Sequence, residues 1–187
     1  MVPASKTPRR AVFLDRDGVI VREVDYLREI AQLEVLRGVP RALKALRAAG
    51  FKVIVVTNQS GVARGYLSLA KLRRIHRELK ARLARAGAKW DALYFSPHHP
   101  NDKNPWRKPG TGMLNAAAKR FRLDLKKSYL VGDTTTDIQT ARNAGCVAVL
   151  VRTGKGGRDG KHPGAKPDKT FRDLAAAARW IIGRERV

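Results

Sequence analysis

Asp15 and Asp17 stand two residues apart in Asp15-Arg16-Asp17-Gly18, directly after the apolar run Ala11-Val12-Phe13-Leu14. Side chains two apart on extended chain share a face, so two negative charges are held close together. Such a pair is costly unless a cation or a proton relieves it. A carboxylate that can attack, a second that can shuttle protons and a metal between them are the parts of a phosphoryl-transfer site. Other reactive groups follow along the chain. Thr57-Asn58-Gln59-Ser60-Gly61 offers a hydroxyl with nearby amides, Arg107-Lys108-Pro109 a cationic pair, and Gly132-Asp133-Thr134-Thr135-Thr136-Asp137 further carboxylates. Asp137 reads equally as a supporting or metal-ligating carboxylate and as a helix cap.

Each of these groups needs an element to place it. Short apolar runs at 11–14, 52–57, 92–95, 128–131 and 148–151 read as buried strands. Segments with helical spacing lie between and after them, at 39–49, 68–86, 111–121, 136–144 and 171–182. In the second of these, Leu69, Leu72, Ile75, Leu79 and Leu83 form one stripe behind a Ser68 cap. Strands alternating with helices predict an α/β fold: a Rossmann-like three-layer α/β/α sandwich on a mainly parallel sheet. In such a sheet ligands bind at the carboxyl ends of the strands. The first, second and fourth strands end directly in reactive residues, and Arg107-Lys108-Pro109 closes the loop after the third. Taken singly, an Asp after a strand is a common cap and an Arg-Lys-Pro is common surface charge. Their joint arrival at one rim is hard to explain as packing.

Two segments break the alternation. Residues 22–33 lack a clean period and are expected as a flap or loop over the site. Residues 153–169, rich in Gly and Lys, are expected as a mobile basic surface loop. Neither is long enough for a large cap domain, so residues 1–187 are read as one domain with a basic N-terminal tail at 1–10.

The chain carries 39 Lys+Arg against 16 Asp+Glu, a net charge of +23. That balance steers anionic substrates and attracts polyanions without specifying a fold. Cys146 is the only cysteine, which excludes an intrachain disulfide framework and any multi-cysteine metal site. It sits in an apolar stretch and reads as a buried structural thiol. No apolar segment approaches the length of a membrane span, and no signal-peptide core follows the basic tail, so a cytoplasmic location and no membrane partner are expected.

The ordered set resembles the haloacid dehalogenase-like phosphatases, and most closely their histidinol-phosphatase and heptose-bisphosphate phosphatase branch. The resemblance is carried by residues 13–18, by 55–65 (Val-Val-Thr-Asn-Gln-Ser-Gly-Val-Ala-Arg-Gly), by Ser96-Pro97-His98-His99-Pro100, by Arg107-Lys108-Pro109 with Gly112-Met113-Leu114, and by 129–133. It implies roles. Asp15 is the nucleophile, forming a phosphoaspartyl intermediate, and Asp17 the general acid and then base. Thr57 and neighbouring amides bind the phosphate oxygens, and Lys108 neutralises phosphoryl charge. Asp15, the Asp17 carbonyl and Asp133 hold Mg²⁺. Asn58, Gln59, Ser60, Arg64, Arg107 and Tyr26 are the substrate-binding candidates. The implied reaction is hydrolysis of a small phosphorylated metabolite, first a sugar bisphosphate such as D-glycero-D-manno-heptose 1,7-bisphosphate. Histidinol phosphate and a nucleic-acid 3′-phosphate are the alternatives; the basic surface allows a nucleic-acid partner without favouring one. A monomer is expected.

The chain also departs from that branch. Many relatives hold a structural Zn²⁺ through Cys-x-His and Cys-x-Cys in the loop before Arg-Lys-Pro. The aligned positions here are Ser96, His98, Asn104 and Trp106. Three thiolates are missing, so no structural Zn²⁺ is expected. Thr134 also stands where relatives often carry a phosphate-binding Lys.

Overall fold

Burial on both faces is what a central strand of a parallel sheet must tolerate, and the first apolar run meets that demand. It forms β1 (Ala11–Leu14), with no residue exposed. Ala11 and Phe13 enter one core while Val12 and Leu14 enter the other, as the two-residue period of a strand dictates. The computed structural model describes residues 9–184, so 1–8 of the expected basic tail lie outside the described residues.

Five further strands follow: β2 (Lys52–Asn58), β3 (Ala92–Ser96), β4 (Tyr129–Gly132), β5 (Val147–Val151) and β6 (Lys169–Phe171). They stand in the order β3-β2-β1-β4-β5-β6, and every pairing is parallel. The helices are α1 (Val39–Ala48), α2 (Leu69–Arg85), α3 (Gly112–Phe121), α4 (Thr135–Ala144) and α5 (Leu174–Arg184). Apolar residues of α1, α2 and α5 pack on one face of the sheet, those of α3 and α4 on the other. This is the three-layer α/β/α sandwich. Cys146 is buried in the second core, where burial pushes its thiol up to about 12. No helix of the described residues is long and apolar enough to cross a membrane.

β6 corrects the sequence reading, which ran a loop to 169 and a helix from 171. Lys169 and Thr170 are exposed on an edge strand, so no apolar run announces them. The helix begins at Leu174, after Asp173 accepts the Ala176 N–H at 2.7 Å.

The sheet order fixes where a site can form. The chain moves outward from β1 through β2 to β3, then restarts beside β1 at β4 and moves the other way. The carboxyl ends of β1 and β4 therefore face the crevice at a topological switch point. Over that end lies the segment expected as a flap. It is tied back where the Arg22 N–H donates to the Glu34 carbonyl at 2.9 Å.

Candidate active site

Asp15 is the first residue beyond β1. Its N–H donates to the Val131 carbonyl at 3.0 Å, extending the pairing to β4 and setting Asp15 beside the turn that carries Asp133. A side-chain Oδ2 of Asp15 lies 3.0 Å from Lys108 Nζ. The same ammonium is 2.5 Å from Asp137 Oδ1 and donates to the Val56 carbonyl at 3.1 Å. Lys108 is buried, and a buried ammonium needs this degree of pairing. It arrives on the loop after β3 because Asn58, the last residue of β2, grips its backbone. Asn58 Nδ2 donates to the Lys108 carbonyl at 3.0 Å, and the Lys108 N–H donates to Asn58 Oδ1 at 3.0 Å. Asn58, a substrate-binding candidate by sequence, thus has both amide atoms engaged with Lys108.

Oxygens of Asp15, Asp133 and Asp137 lie within 4.8 Å of one another. Asp137 is both supporting carboxylate and cap: Oδ1 meets Lys108, while Oδ2 accepts the Thr134 N–H at 3.1 Å in the first turn of α4. Asp133 Oδ2 accepts the Lys155 N–H at 2.7 Å. Gly18 and Gly154 are both pressed against the Asp133 carboxylate, where any Cβ would collide with it. Gly18 also has φ +76, which an L side chain rarely adopts. Burial, then repulsion from neighbouring carboxylates, holds Asp133 above the ordinary aspartate range. Burial does the same to Asp15, partly offset by Lys108. Burial opposes the charge on Lys108, but Asp137 and Asp15 outweigh it and hold the ammonium above the usual lysine value.

Asp17 turns to a different cation. Arg16 Nη2 donates to Asp17 Oδ1 and Oδ2 at 2.9 Å each, and Gln59 Nε2 donates to Asp17 Oδ2 at 2.9 Å. Gln59 also donates to Thr57 Oγ1 at 2.8 Å, so the phosphate-binding candidate and the acid–base candidate share one amide. Arg16 is 1% exposed and is held from behind: Nη2 donates to Gln59 Oε1 at 2.8 Å, and Nη1 lies 2.9 Å from His76 Nε2 on α2. A guanidinium has no acceptor, so His76 Nε2 accepts and carries no proton. Burial, then Arg16, pushes the His76 pKa down to about 3.

These groups border a cleft of ≈ 460 Å³. Asp15, Asp17, Asn58, Gln59, Ser60, Arg107, Lys108 and Asp133 line it, as does Tyr26 from the flap. Thr57 lies just behind, 1% exposed. Arg64 is exposed and does not line the cleft; it lies near enough to Arg107 to lower that guanidinium's pKa, after burial. Arg107 Nη1 donates to the His98 carbonyl at 3.1 Å. The sequence reading gave no role to Arg16, His76, Glu23, Lys161 or His162. Arg16 sits inside the Asp-Arg-Asp motif and His76 beside an apolar stripe, and those positions were the available signals.

At the four positions aligned with zinc ligands, Ser96 is buried, and Asn104 Oδ1 accepts the Trp106 N–H at 2.9 Å. His98 Nε2 lies 3.2 Å from Asn104 Nδ2, and Trp106 Nε1 donates to the Phe95 carbonyl at 2.9 Å.

The family model described as haloacid dehalogenase-like hydrolase matches residues 12–89, and that described as HAD-hydrolase-like matches 105–177. D-glycero-D-manno-heptose-1,7-bisphosphate 7-phosphatase of Thermosynechococcus vestitus is 45% identical over 188 residues, covering 93% of this chain and 96% of that protein. D-glycero-beta-D-manno-heptose-1,7-bisphosphate 7-phosphatase of Pseudomonas putida is 38% identical, covering 92% and 99%. Among solved structures, D,D-heptose 1,7-bisphosphate phosphatase from B. bronchiseptica, complexed with magnesium and phosphate, superposes with a TM-score of 0.84 at 36% identity, covering 94% of this chain and 99% of that one. With the carboxylates and lysine at the β1–β4 switch point, these likenesses make the chain a member of the haloacid dehalogenase-like hydrolase family, and a phosphatase within it.

Proposed function

We propose that this chain is a Mg²⁺-dependent phosphomonoesterase acting on a sugar bisphosphate of the D-glycero-D-manno-heptose 1,7-bisphosphate type. The observation that carries the reading is the packing of Asp15, Asp133 and Asp137 against one another, with a single ammonium, that of Lys108, paired to Asp15 and Asp137. Three carboxylates and one cation leave an excess of two negative charges, which a divalent cation offsets. The donors are hard oxygens, suited to Mg²⁺. Asp15 and Asp133, with the Asp17 carbonyl, would hold it, while Asp137 is engaged by Lys108 and the α4 cap. When bound, the ion supplies positive charge to the phosphoryl oxygens.

The chain's own residues then divide the chemistry. The Asp15 carboxylate attacks phosphorus, and the bond from phosphorus to the sugar oxygen breaks as the bond to Asp15 forms. Asp17 first turns from Arg16 and takes a proton from solvent, then gives that proton to the departing oxygen. Asp17, now ionised, next takes a proton from water; the water oxygen attacks phosphorus, the bond to Asp15 breaks and inorganic phosphate leaves. Thr57 and the adjacent backbone amides cradle the non-bridging oxygens, with Lys108 neutralising their charge. Arg107 and Tyr26 hold the sugar from the rim.

A panel of heptose 1,7-bisphosphate, histidinol phosphate, an aryl phosphate and 3′-phosphorylated oligonucleotides tests this reading. Turnover is expected to be highest on the heptose bisphosphate, to vanish with a chelator and return with Mg²⁺, and to drop at least about 10³-fold in Asp15→Asn. Higher turnover on either alternative substrate overturns the sugar reading, and full turnover by Asp15→Asn overturns the mechanism.

A further inference from the structure

The segment after β5 builds a part of the cleft wall that the reaction above does not use. Thr135, in the first turn of α4, fixes that segment in place. Asp159 Oδ1 accepts the Thr135 N–H at 2.6 Å, and Thr135 Oγ1 donates to Asp159 Oδ2 at 2.9 Å. The His162 N–H donates to the same Thr135 hydroxyl oxygen at 3.0 Å. One helical residue therefore anchors positions 159 and 162, with Lys161 between them. Asp159, Lys161 and His162 all line the cleft that holds Asp15 and Lys108.

The charges there are not all committed. Lys108 is engaged by Asp15 and Asp137, and Arg16 by Asp17. The Thr134 hydroxyl is taken by Asp137 Oδ2 at 2.5 Å. The Asp159 carboxylate is taken by Thr135. Lys161 is exposed and forms no close ion pair among the described residues; the charge it faces is that of Asp159, whose carboxyl, against the opposing effect of burial, it helps, after the bonds from Thr135, to hold below the usual aspartate range. A lysine and a histidine that line the cleft, on a segment fixed to the first turn of α4, suit a second anionic group on the substrate.

We propose that Lys161 and His162 form the subsite for the phosphate of the bisphosphate that is not transferred. This rests on the bisphosphate reading above. Lys161 supplies a positive point charge, His162 a directional ring nitrogen, and Asp159–Thr135 is the brace that keeps both at the cleft.

The test compares heptose 1,7-bisphosphate with heptose 7-phosphate, which differ only in the distal phosphate. The readout is the ratio of kcat/KM for the two substrates in wild type, Lys161→Ala and Thr135→Val. Wild type is expected to favour the bisphosphate. Lys161→Ala is expected to lower the ratio about tenfold through KM, the effect of losing one charge-assisted contact. Thr135→Val, which removes no charge, is expected to lower it in the same direction. A wild type indifferent to the distal phosphate overturns the bisphosphate reading and the subsite with it. A clear wild-type preference that Lys161→Ala leaves intact overturns the subsite alone, as does a variant that loses both activities equally.

Discussion

Asp15 and Asp17 are near neighbours in sequence, yet each carboxylate has its own counter-charge: Lys108 for Asp15, Arg16 for Asp17. The repulsion implied by their spacing is relieved twice over, once from the loop after β3 and once from within the motif. Lys108 carries the heavier load, because the fully buried Asp137 depends on it too. Removing one partner of a buried pair leaves the other charge uncompensated, at a cost of about 3–5 kcal/mol. Lys108→Met is therefore expected to lose activity and about that much stability in urea unfolding. Adding Asp137→Asn removes the stranded charge, so the double variant is expected to recover stability while remaining inactive. Recovery of both would show that Lys108 acts only through folding; recovery of neither would place its effect outside the ion pair.

At the scale of elements, β1 to β5 were legible because each is a short apolar run ending at reactive or turn-forming residues. β6 was not, since an exposed three-residue edge strand needs only backbone pairing with β5. The flap was legible as an irregular segment, but its side chains were not. Glu23 enters the cleft region near Asp17 and Lys155, contacts that no local pattern encodes. His76 shows the same limit. It lies one position past Ile75, so helical spacing places it beside the buried stripe, while its partner Arg16 is 60 residues away. Burial leaves it neutral, with its pKa pushed down to about 3 from an unfolded value near 6.5. A depressed folded-state pKa contributes stability that is fully present above 6.5 and is lost as pH falls toward 3. The slope is about 1.4 kcal/mol per pH unit for one proton. His76→Gln, which keeps an acceptor for Arg16 without a titratable ring, is expected to flatten the stability curve between pH 6 and pH 4. An unchanged slope in chemical unfolding across that window would rule out His76 as the source of acid lability.

The whole molecule sets a field that the site alone would not. The reaction centre concentrates carboxylates, which repel a phosphate ester, whereas the chain as a whole carries +23. Much of that charge is remote from the chemistry: Arg73, Arg74, Arg77 and Lys80 are exposed along α2 and form no ion pair among the described residues. A net positive field draws anions toward the cleft before any contact forms, and salt weakens it over a Debye length of about 10 Å at 0.1 M. kcat/KM for a sugar bisphosphate is expected to fall severalfold between about 10 mM and about 300 mM salt, with kcat steady, and to fall less for a monophosphate of lower charge. The comparison separates steering from specific contact. Loss of the Lys161 ammonium removes one short-range interaction and so lowers the bisphosphate preference at every salt concentration. Neutralising the α2 arginines weakens only the field, so it is expected to reduce the salt slope and leave the high-salt preference in place. Equal salt slopes for the two substrates would locate the whole preference in the cleft wall and leave the basic surface without a part in substrate capture.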